Sequence, residues 1–312
     1  MSAGASDTEE AVDLPVRRSP LSVLEAALRQ LRPTQWTKNG LLVAALVFSG
    51  HFLRPWAVLH FVVAFVSFSL VSSAGYVLND YLDREADRLH PKKRHRPIAS
   101  GALPPAAAVV ELVVVLLAGL GLALWLGPTF LLVVLAYLAT TLTYSFYFKH
   151  IVILDVMFLA SGFVWRVIAG AVAIDVAVSP WLFICTAFLA LFFGFHKRRA
   201  ELINLGDGVG TRKNLAEYSP QMLDQFQAIV TGNVVLSYAL YTILGTTPWM
   251  AVTLPYVLYA IFRYIYLVDQ RGEGEAPDEA LVRDGPILLT AILFLLTAMA
   301  VLLLAPGAPT VR

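Results

Sequence analysis

The sequence predicts an all-α fold: a polytopic membrane protein whose helices form one bundle. Three observations lead to this prediction. Of the 312 residues, 58% are hydrophobic and only 14% are charged, whereas soluble domains carry about 25% charged residues. Apolar runs near the length of about 20 residues that a spanning helix needs recur along the chain. The connections between them alternate strictly between short, nearly uncharged segments and charged ones.

Nine apolar runs qualify as spans, with ends that the pattern defines only to within several residues. No soluble domain fits between them, so we expect one membrane-embedded domain over 31–312, preceded by a disordered or amphipathic arm, 1–30. The start of the arm, Met1 to about Leu14, has no apolar core and is therefore not a signal peptide. The predicted spans lie near 39–54, 58–79, 106–126, 129–148, 151–174, 179–196, 223–244, 247–267 and 286–305.

The distribution of basic residues predicts the orientation of the bundle. Lysine and arginine are dense in the N-terminal arm and in the connections 80–105 and 197–220. Basic residues in short loops mark the cytoplasmic side of a cell membrane, and nine spans put every charged connection on one side. We therefore expect a plasma-membrane protein with a cytoplasmic N-terminus, a cytoplasmic site for its polar chemistry and a C-terminus outside.

Composition disfavours several other classes of protein. The net charge of +1 gives no reason to expect a nucleic-acid partner. The one cysteine, Cys185, allows no intrachain disulfide and no cysteine-based metal site. A transporter or channel would need broken helices and polar residues at mid-membrane, whereas most of the predicted spans are uninterrupted.

A cluster of oxygen ligands is the strongest local signal in the sequence. Asn79, Asp80, Asp83 and Asp87 follow helical i, i+3 and i+4 spacing, which places their side chains on one face of a helix. Like charges repel at this spacing, and a divalent cation would relieve the repulsion. Oxygen ligands suit Mg²⁺, which binds through one or two carboxylates together with substrate phosphates. The alternative is a solvated helix end whose acids pair with neighbouring arginines.

A basic loop follows the cluster directly. It contains Lys92, Arg94 and Arg96, and its two prolines, Pro91 and Pro97, exclude a continuous helix. Cations beside a carboxylate–metal cluster suit a diphosphate, whose charge exceeds what one Mg²⁺ neutralises. The alternatives are topology control by positive charge and binding of anionic lipid headgroups.

Together, the Asn-Asp-x-x-Asp-x-x-x-Asp pattern over 79–87 and the loop that ends Arg-Pro-Ile-Ala-Ser-Gly over 96–101 resemble the UbiA superfamily of membrane prenyltransferases. The resemblance implies a nine-helix bundle that binds a prenyl diphosphate through Mg²⁺ at two aspartate motifs. The chain departs from this pattern after span six. There, 196–202 reads His-Lys-Arg-Arg-Ala-Glu-Leu, with Glu201 as the one carboxylate beside Lys197, Arg198 and Arg199.

Further segments resemble one branch of the superfamily, the decaprenyl-phosphate phosphoribosyltransferases. This resemblance implies transfer of 5-phosphoribose from phosphoribosyl pyrophosphate to a polyprenyl phosphate, with release of diphosphate, for cell-wall arabinan synthesis. The alternative function is transfer of a prenyl group to another acceptor, which the missing second aspartate motif disfavours. A homo-oligomer is compatible with the resemblance. The segments are 31–39, 154–170, 197–202, 211–218 and 274–278.

Several other polar residues are candidates for substrate contact. Asp155 and Arg166 are ionisable residues within span five, where we favour substrate binding over a structural ion pair between them. Lys149, at the end of span four, is similar to the lysine that ends this helix in the superfamily; the alternative is an interfacial anchor. Arg212 lies in a glycine-containing loop that could cover the donor. With Mg²⁺ as the expected cofactor, the predicted substrate-binding set is Gln35, Lys38, Asn79, Lys92, Arg94, Arg96, Lys149, Asp155, Arg166, Lys197, Arg198, Glu201 and Arg212.

Overall fold

The computed structural model describes residues 20–91, 93–205, 213–245, 247–274 and 277–305. Within these ranges the secondary structure is entirely helical, which confirms the predicted all-α class. The α-helices are α1 Pro20–Gln30, α2 Val43–Phe48, α3 Pro55–Leu82, α4 Arg84–Leu89, α5 Pro105–Leu126, α6 Pro128–Phe146, α7 Leu154–Ala173, α8 Pro180–Leu205, α9 Pro220–Leu244, α10 Leu254–Arg271, α11 Pro277–Arg283 and α12 Gly285–Leu304. Short 3-10 helices cover Pro33–Leu42, His51–Leu53, Lys93–His95, Phe148–His150, Lys213–Glu217 and Pro248–Thr253.

Eight of these helices are long and apolar enough to cross a membrane, and they coincide with eight of the nine predicted spans. They are α3, α5, α6, α7, α8, α9, the segment Pro248–Arg271 that contains α10, and α12. Six of the eight begin with proline: α3, α5, α6, α8, α9 and the segment Pro248–Arg271. Proline suits the first helical position because the amide hydrogen it lacks would have no intrahelical acceptor. The chain is thus a multi-pass membrane protein.

The first predicted span, 39–54, does not form a long α-helix. A ten-residue 3-10 helix, Pro33–Leu42, leads into the short α2, which ends at Phe48. Gly50, with a positive φ of 74°, then turns the chain into the 3-10 helix His51–Leu53. The amide of Asn39 donates to Ser69 Oγ at 3.0 Å and to Ser72 Oγ at 3.3 Å on α3, and Asn39 Oδ1 accepts from Arg166 Nε at 2.8 Å on α7. These tertiary hydrogen bonds hold the segment in a conformation that its apolar pattern alone does not predict.

The helices form a closed ring. Contacts run in chain order from α3 through α5 to α10 and on to α12, and α2 joins α12 back to α3 and α7. One apolar core lies among α3, α6 and α7, and a second lies among α8, α9, α10 and α12. Gly170 on α7 permits the close approach of the 3-10 segment, because a Cβ at this position would lie 2.3 Å from Leu42 O.

Candidate active site

Asp80 and Asp87 form a buried acidic pair at the junction of α3 and α4. Each of the two residues is only 3% exposed. One nitrogen atom, Arg96 Nη1, lies 2.9 Å from Asp80 Oδ1 and 2.7 Å from Asp87 Oδ2. Arg96 therefore stands between the two carboxylates, where a cation is needed to offset their repulsion.

The N-terminal segment supplies two further donors to Asp80. Arg32 Nη2 lies 2.7 Å from Asp80 Oδ1 and 2.5 Å from Oδ2, and Gln30 Nε2 donates to Oδ2 at 2.8 Å. Arg32 adopts a left-handed backbone conformation, with φ 52° and ψ 62°, which turns the chain between α1 and the 3-10 helix Pro33–Leu42. The sequence prediction missed both residues. No local pattern reveals them, because each contacts a residue about 50 positions away in the sequence.

The other two predicted metal ligands are less enclosed. Asn79 is half-buried, and Asp83 is exposed at the point where α3 ends and α4 begins. Thus the four residues are not aligned on one uninterrupted helix. Among the residues that the structure describes, no three histidine, cysteine, aspartate or glutamate side chains converge as a complete metal cluster.

The donor set nevertheless fits Mg²⁺. This ion is usually bound in proteins by one or two carboxylates, with water and substrate phosphates completing its shell. Asp80 and Asp87 are two carboxylates that already share one cationic nitrogen, so they are close enough to serve a single cation once Arg96 moves aside. The roles of Asn79 and Asp83 as additional ligands stay predictions.

The basic loop after α4 is held by its own turns and by buried apolar residues. Ser100 N donates to Arg96 O at 2.8 Å, and Leu103 N donates to Pro97 O at 2.8 Å. Ile98 and Leu103 are buried against α1 and α5. This anchoring presents Arg96 to the acidic pair, while Arg94 is exposed on the 3-10 turn Lys93–His95. Lys92, another predicted substrate contact, lies outside the described residues.

A largely apolar cavity of about 960 Å³ lies in the second half of the ring. Its walls come from the 3-10 helix Pro33–Leu42, α2 and α7 to α12, with α11 among them. Lys38 and Lys197 are the lysines that line it. Lys38 Nζ donates to Gln35 Oε1 at 2.6 Å. The structure therefore places the predicted residues Lys38 and Lys197 on one cavity, whose other walls suit a hydrocarbon chain.

Asp155 is the centre of a buried network at the start of α7. Its side chain accepts hydrogen bonds from Arg198 Nε at 2.6 Å, Tyr218 OH at 2.7 Å, Asn214 Nδ2 at 3.0 Å and the backbone N of Val156 at 2.9 Å. The anticipated alternative, an ion pair between Asp155 and Arg166, is wrong because Asp155 pairs with Arg198 instead. Arg198 also pairs with Glu201, one turn further along α8.

This network fixes the segment that follows the loop after α8. Burial and the hydrogen bond to Asp155 raise the pKa of Tyr218 above its ordinary value, so the phenol keeps its proton and remains a donor. Tyr218 OH also accepts from the backbone N of Ile153 at 2.7 Å, and Ile153 itself has a positive φ of 69°. Asn214 and Tyr218 were named within a motif but were not predicted as site residues. Arg212 and the glycine-containing part of this loop lie outside the described residues.

Arg166 is buried among neutral partners. In addition to Asn39, it donates to Gly162 O at 2.7 Å and to Tyr137 OH at 3.2 Å. The rings of Phe68, Tyr137 and Phe163 lie between 5.1 and 5.6 Å from its Cζ, within the range of cation–π attraction. These contacts show Arg166 as the link between α7, α6 and the 3-10 segment. Lys149 is half-buried on the turn Phe148–His150.

The fold and the site define an integral membrane protein in which the segment 32–42 connects an acid–arginine cluster to an apolar cavity. Residues 40–283 match the model of the UbiA prenyltransferase family. The chain therefore belongs to the UbiA family of membrane transferases.

Proteins of similar sequence indicate a particular branch of this family. The chain is 35% identical to decaprenyl-phosphate phosphoribosyltransferase of Corynebacterium glutamicum, over 88% of this chain and 86% of the relative. It is 37% identical to the Mycobacterium tuberculosis protein of the same name, over 91% of this chain and 97% of the relative.

A solved structure supports the fold. The structure of a UbiA homolog from Archaeoglobus fulgidus bound to DMAPP and Mg²⁺ matches with a TM-score of 0.69 and 21% identity. The match covers 88% of this chain and 98% of that chain. At this identity, the likeness concerns the architecture of the bundle.

Proposed function

We propose that the protein transfers the 5-phosphoribosyl group from 5-phosphoribosyl 1-pyrophosphate to decaprenyl phosphate or a similar polyprenyl phosphate. The supporting relatives, which carry the name of this activity, cover nearly the whole chain. One structural observation carries the proposal. The short segment 32–38 contacts the acid–arginine cluster through Arg32 and lines the apolar cavity through Lys38.

The donor diphosphate is assigned to the acidic pair and its arginines. Asp80 and Asp87, with Asn79 and Asp83 as further candidates, would hold Mg²⁺, which supplies charge neutralisation to the diphosphate as it leaves. Arg32 and Arg96 already lie against the pair, so a small movement of either guanidinium turns it from the carboxylates to the diphosphate. Arginine suits this task because its planar fork matches phosphate oxygens.

The lipid acceptor is assigned to the cavity. An isoprenoid tail is favoured by walls that are mostly aliphatic and aromatic, whereas a sugar phosphate would leave its polar groups unpaired there. Lys38 and Lys197 provide positive charge for the lipid phosphate. Arg32 and Lys38 are six residues apart on a 3-10 path, which rises about 2 Å per residue. The backbones of the two residues are thus roughly 12 Å apart along this path, a spacing that two substrates meeting between the residues could bridge.

The chemistry requires little proton transfer. An oxygen of the lipid phosphate attacks C1 of the ribose, the bond from C1 to the diphosphate oxygen breaks, and the diphosphate leaves with the electron pair. Because the attacking oxygen is already anionic, no strong general base is needed. Positive charge from Arg32 and Arg96 stabilises the negative charge that develops on the leaving group.

We also propose the finer membrane arrangement. The segment 33–48 combines ten 3-10 residues and six α-helical residues, which rise about 29 Å together, close to the hydrocarbon thickness of about 30 Å. It can therefore serve as the ninth crossing. Nine crossings and the basic loops support a cytoplasmic N-terminus and active site and a C-terminus outside. The proposed role in cell-wall arabinan synthesis at the plasma membrane rests on the likeness to the decaprenyl-phosphate phosphoribosyltransferases.

A choice of donors tests the proposed function. The purified protein in lipid nanodiscs is given either phosphoribosyl pyrophosphate with decaprenyl phosphate or a prenyl diphosphate with an aromatic acceptor. The proposal expects phosphoribosylated lipid in the first reaction and no product in the second. Product in the second reaction alone would identify the chain as a prenyltransferase instead.

A further inference from the structure

Helix α1 has three distinct faces. With 3.6 residues per turn, Leu21, Leu24 and Leu28 share one face, and these three side chains are 77%, 57% and 55% exposed. A second face is covered by the protein, and a third carries charge. A short helix of this kind needs a different environment for each face.

The covered face packs on the ends of two membrane spans. Ala26 and Gln30 are each 1% exposed. Ala26 belongs to a cluster with Val77 of α3 and Ala108 of α5, to which Val23 of α1 contributes. The helix therefore lies beside the ends of α3 and α5 that approach the acidic pair.

The charged face is solvated. Glu25 and Arg29 are 71% and 68% exposed and form an i, i+4 pair with 3.2 Å between Arg29 Nη2 and Glu25 Oε1. Because this pair is neutral overall, α1 has no charge by which to select an anionic partner. What remains to be covered is the leucine face.

We propose that the leucine face of α1 is inserted into the interfacial region of the bilayer, so that α1 lies in the membrane surface. Helices of this type bury an apolar face about 5–10 Å into the headgroup and acyl boundary. The exposed valines of the first turns of α5, Val109 and Val110, are 42% and 63% exposed. Their neighbour in the sequence, Ala108, belongs to the cluster on which α1 packs, and α5 is a membrane-spanning helix, which favours lipid over a protein partner as the occupant.

The membrane contact is coupled to the site through the end of α1. Gln30 is the last residue of the helix, and Arg32 follows two positions later; both donate to Asp80. Between them, Leu31 O accepts from Ser73 Oγ at 2.7 Å, which ties this junction to α3. Seating α1 in the bilayer therefore positions two donors on Asp80. This second part rests on the proposed function, whereas the lipid contact does not.

Accessibility of spin labels tests the lipid contact. Single cysteines are introduced into the full-length protein with Cys185→Ala, in nanodiscs of zwitterionic phospholipid, and oxygen and nickel-chelate accessibilities are compared. Labels on the leucine face should be more accessible to oxygen, and labels on the polar face should be more accessible to the nickel chelate. Equal nickel accessibility on both faces would overturn the proposal. It would also be overturned if labels on the leucine face were shielded from both reagents and their cysteines formed crosslinks between two copies of the protein. The variants are Leu21→Cys, Leu24→Cys, Leu28→Cys, Ser22→Cys, Glu25→Cys and Arg29→Cys.

Binding of Mn²⁺ without any substrate tests the coupling. The double variant with Leu24→Asp and Leu28→Asp should lift α1 from the bilayer and change the Kd for Mn²⁺ several-fold, in the direction that Arg32→Gln changes it. The control Arg29→Asp adds an acid on the solvated face and should leave the Kd unchanged. If the Kd for Mn²⁺ is unchanged in the double variant while the spin labels show that the leucine face contacts lipid, the coupling is overturned and the lipid contact stands.

Discussion

Asp80 and Asp87, seven residues apart in the sequence, contact the same atom, Arg96 Nη1, at 2.9 and 2.7 Å. Two buried carboxylates thus share one cationic nitrogen. In the proposed reaction cycle Asp80 and Asp87 would hold Mg²⁺, and Arg96 would bind the diphosphate instead. Arginine and metal would therefore compete for the same pair of carboxylates.

This competition predicts opposite effects of Arg96→Gln on metal and donor. Without donor, the Kd for Mn²⁺ should fall several-fold because the competing guanidinium is gone. The KM for phosphoribosyl pyrophosphate should rise about 10- to 100-fold, since a hydrogen bond to a charged group contributes about 1.5–3 kcal/mol. Calorimetric Mn²⁺ titration and steady-state kinetics measure the two effects. Lys93→Gln, in the same loop but exposed, is the control, and weaker Mn²⁺ binding in Arg96→Gln would contradict the competition.

The two cavity lysines predict a separate effect on the lipid substrate. Lys38→Met or Lys197→Met should raise the KM for decaprenyl phosphate about 10-fold, because each removes positive charge from the phosphate end of an apolar cavity. The KM for the donor should change little. Kinetics with each substrate varied in turn separate these effects, and Lys93→Met on an exposed turn is the control. A rise in donor KM alone would place these lysines at the other substrate.

The buried pair of Asp155 and Arg198 predicts strong non-additivity in stability. Arg198→Met leaves the buried Asp155 charge with neutral donors only, which costs about 3–5 kcal/mol. Asp155→Asn should cost less, because Arg198 still pairs with Glu201. Asp155→Asn and Arg198→Met should each lower the melting temperature in detergent. The double variant should be less destabilised than the sum of the two. Additive losses would show that the pair contributes no coupling.

A second ion pair, at the start of α12, predicts a pH-dependent contribution to stability. Asp284 accepts from Arg263 Nη2 at 2.9 Å and caps α12 by accepting from Ile287 N at 3.0 Å. The hydrogen bond from Arg263 is the main cause that lowers the pKa of Asp284 below its ordinary 3.8. The pair therefore stabilises the fold above pH 3.8, and this contribution disappears as the pH falls through the lowered pKa.

Two variants of Asp284 separate the cap from the pair. Asp284→Ala loses both and should cost about 1 kcal/mol from the cap alone, whereas Asp284→Asn keeps a capping oxygen and should cost less. Thermal melts at neutral and acidic pH measure both. The difference between wild type and Asp284→Asn should shrink below pH 3.8; a difference that grows on acidification would contradict the assigned role of Arg263.

The spans were predictable because the signal is local. Length and composition of an apolar run determine whether a helix such as α5 or α12 can cross a bilayer. The first segment differs because Asn39 is held by Ser69 and Arg166, which lie 30 and 127 positions away. No window around Asn39 contains these partners, so the 3-10 conformation could not be predicted.

The candidate site likewise has a part that could be predicted from local sequence and a part that could not. The acids over 79–87 were visible from their spacing, and the structure brings Asp80 and Asp87 together. By contrast, Gln30 and Arg32 reach Asp80 across 50 and 48 positions, and Arg198 reaches Asp155 across 43. Which cation meets which acid is decided by the ring of helices and not by the local sequence.

The most direct test of the central claim follows two labels through one reaction. Phosphoribosyl pyrophosphate carrying ¹⁴C in the ribose and ³²P in the β-phosphate is supplied with decaprenyl phosphate and Mg²⁺ to the protein in nanodiscs. We predict ¹⁴C in the lipid and an equal amount of ³²P in free diphosphate, with both lost in Asp80→Asn and Asp87→Asn by about two to three orders of magnitude. No ¹⁴C in the lipid, or near-normal transfer by both variants, would contradict the account.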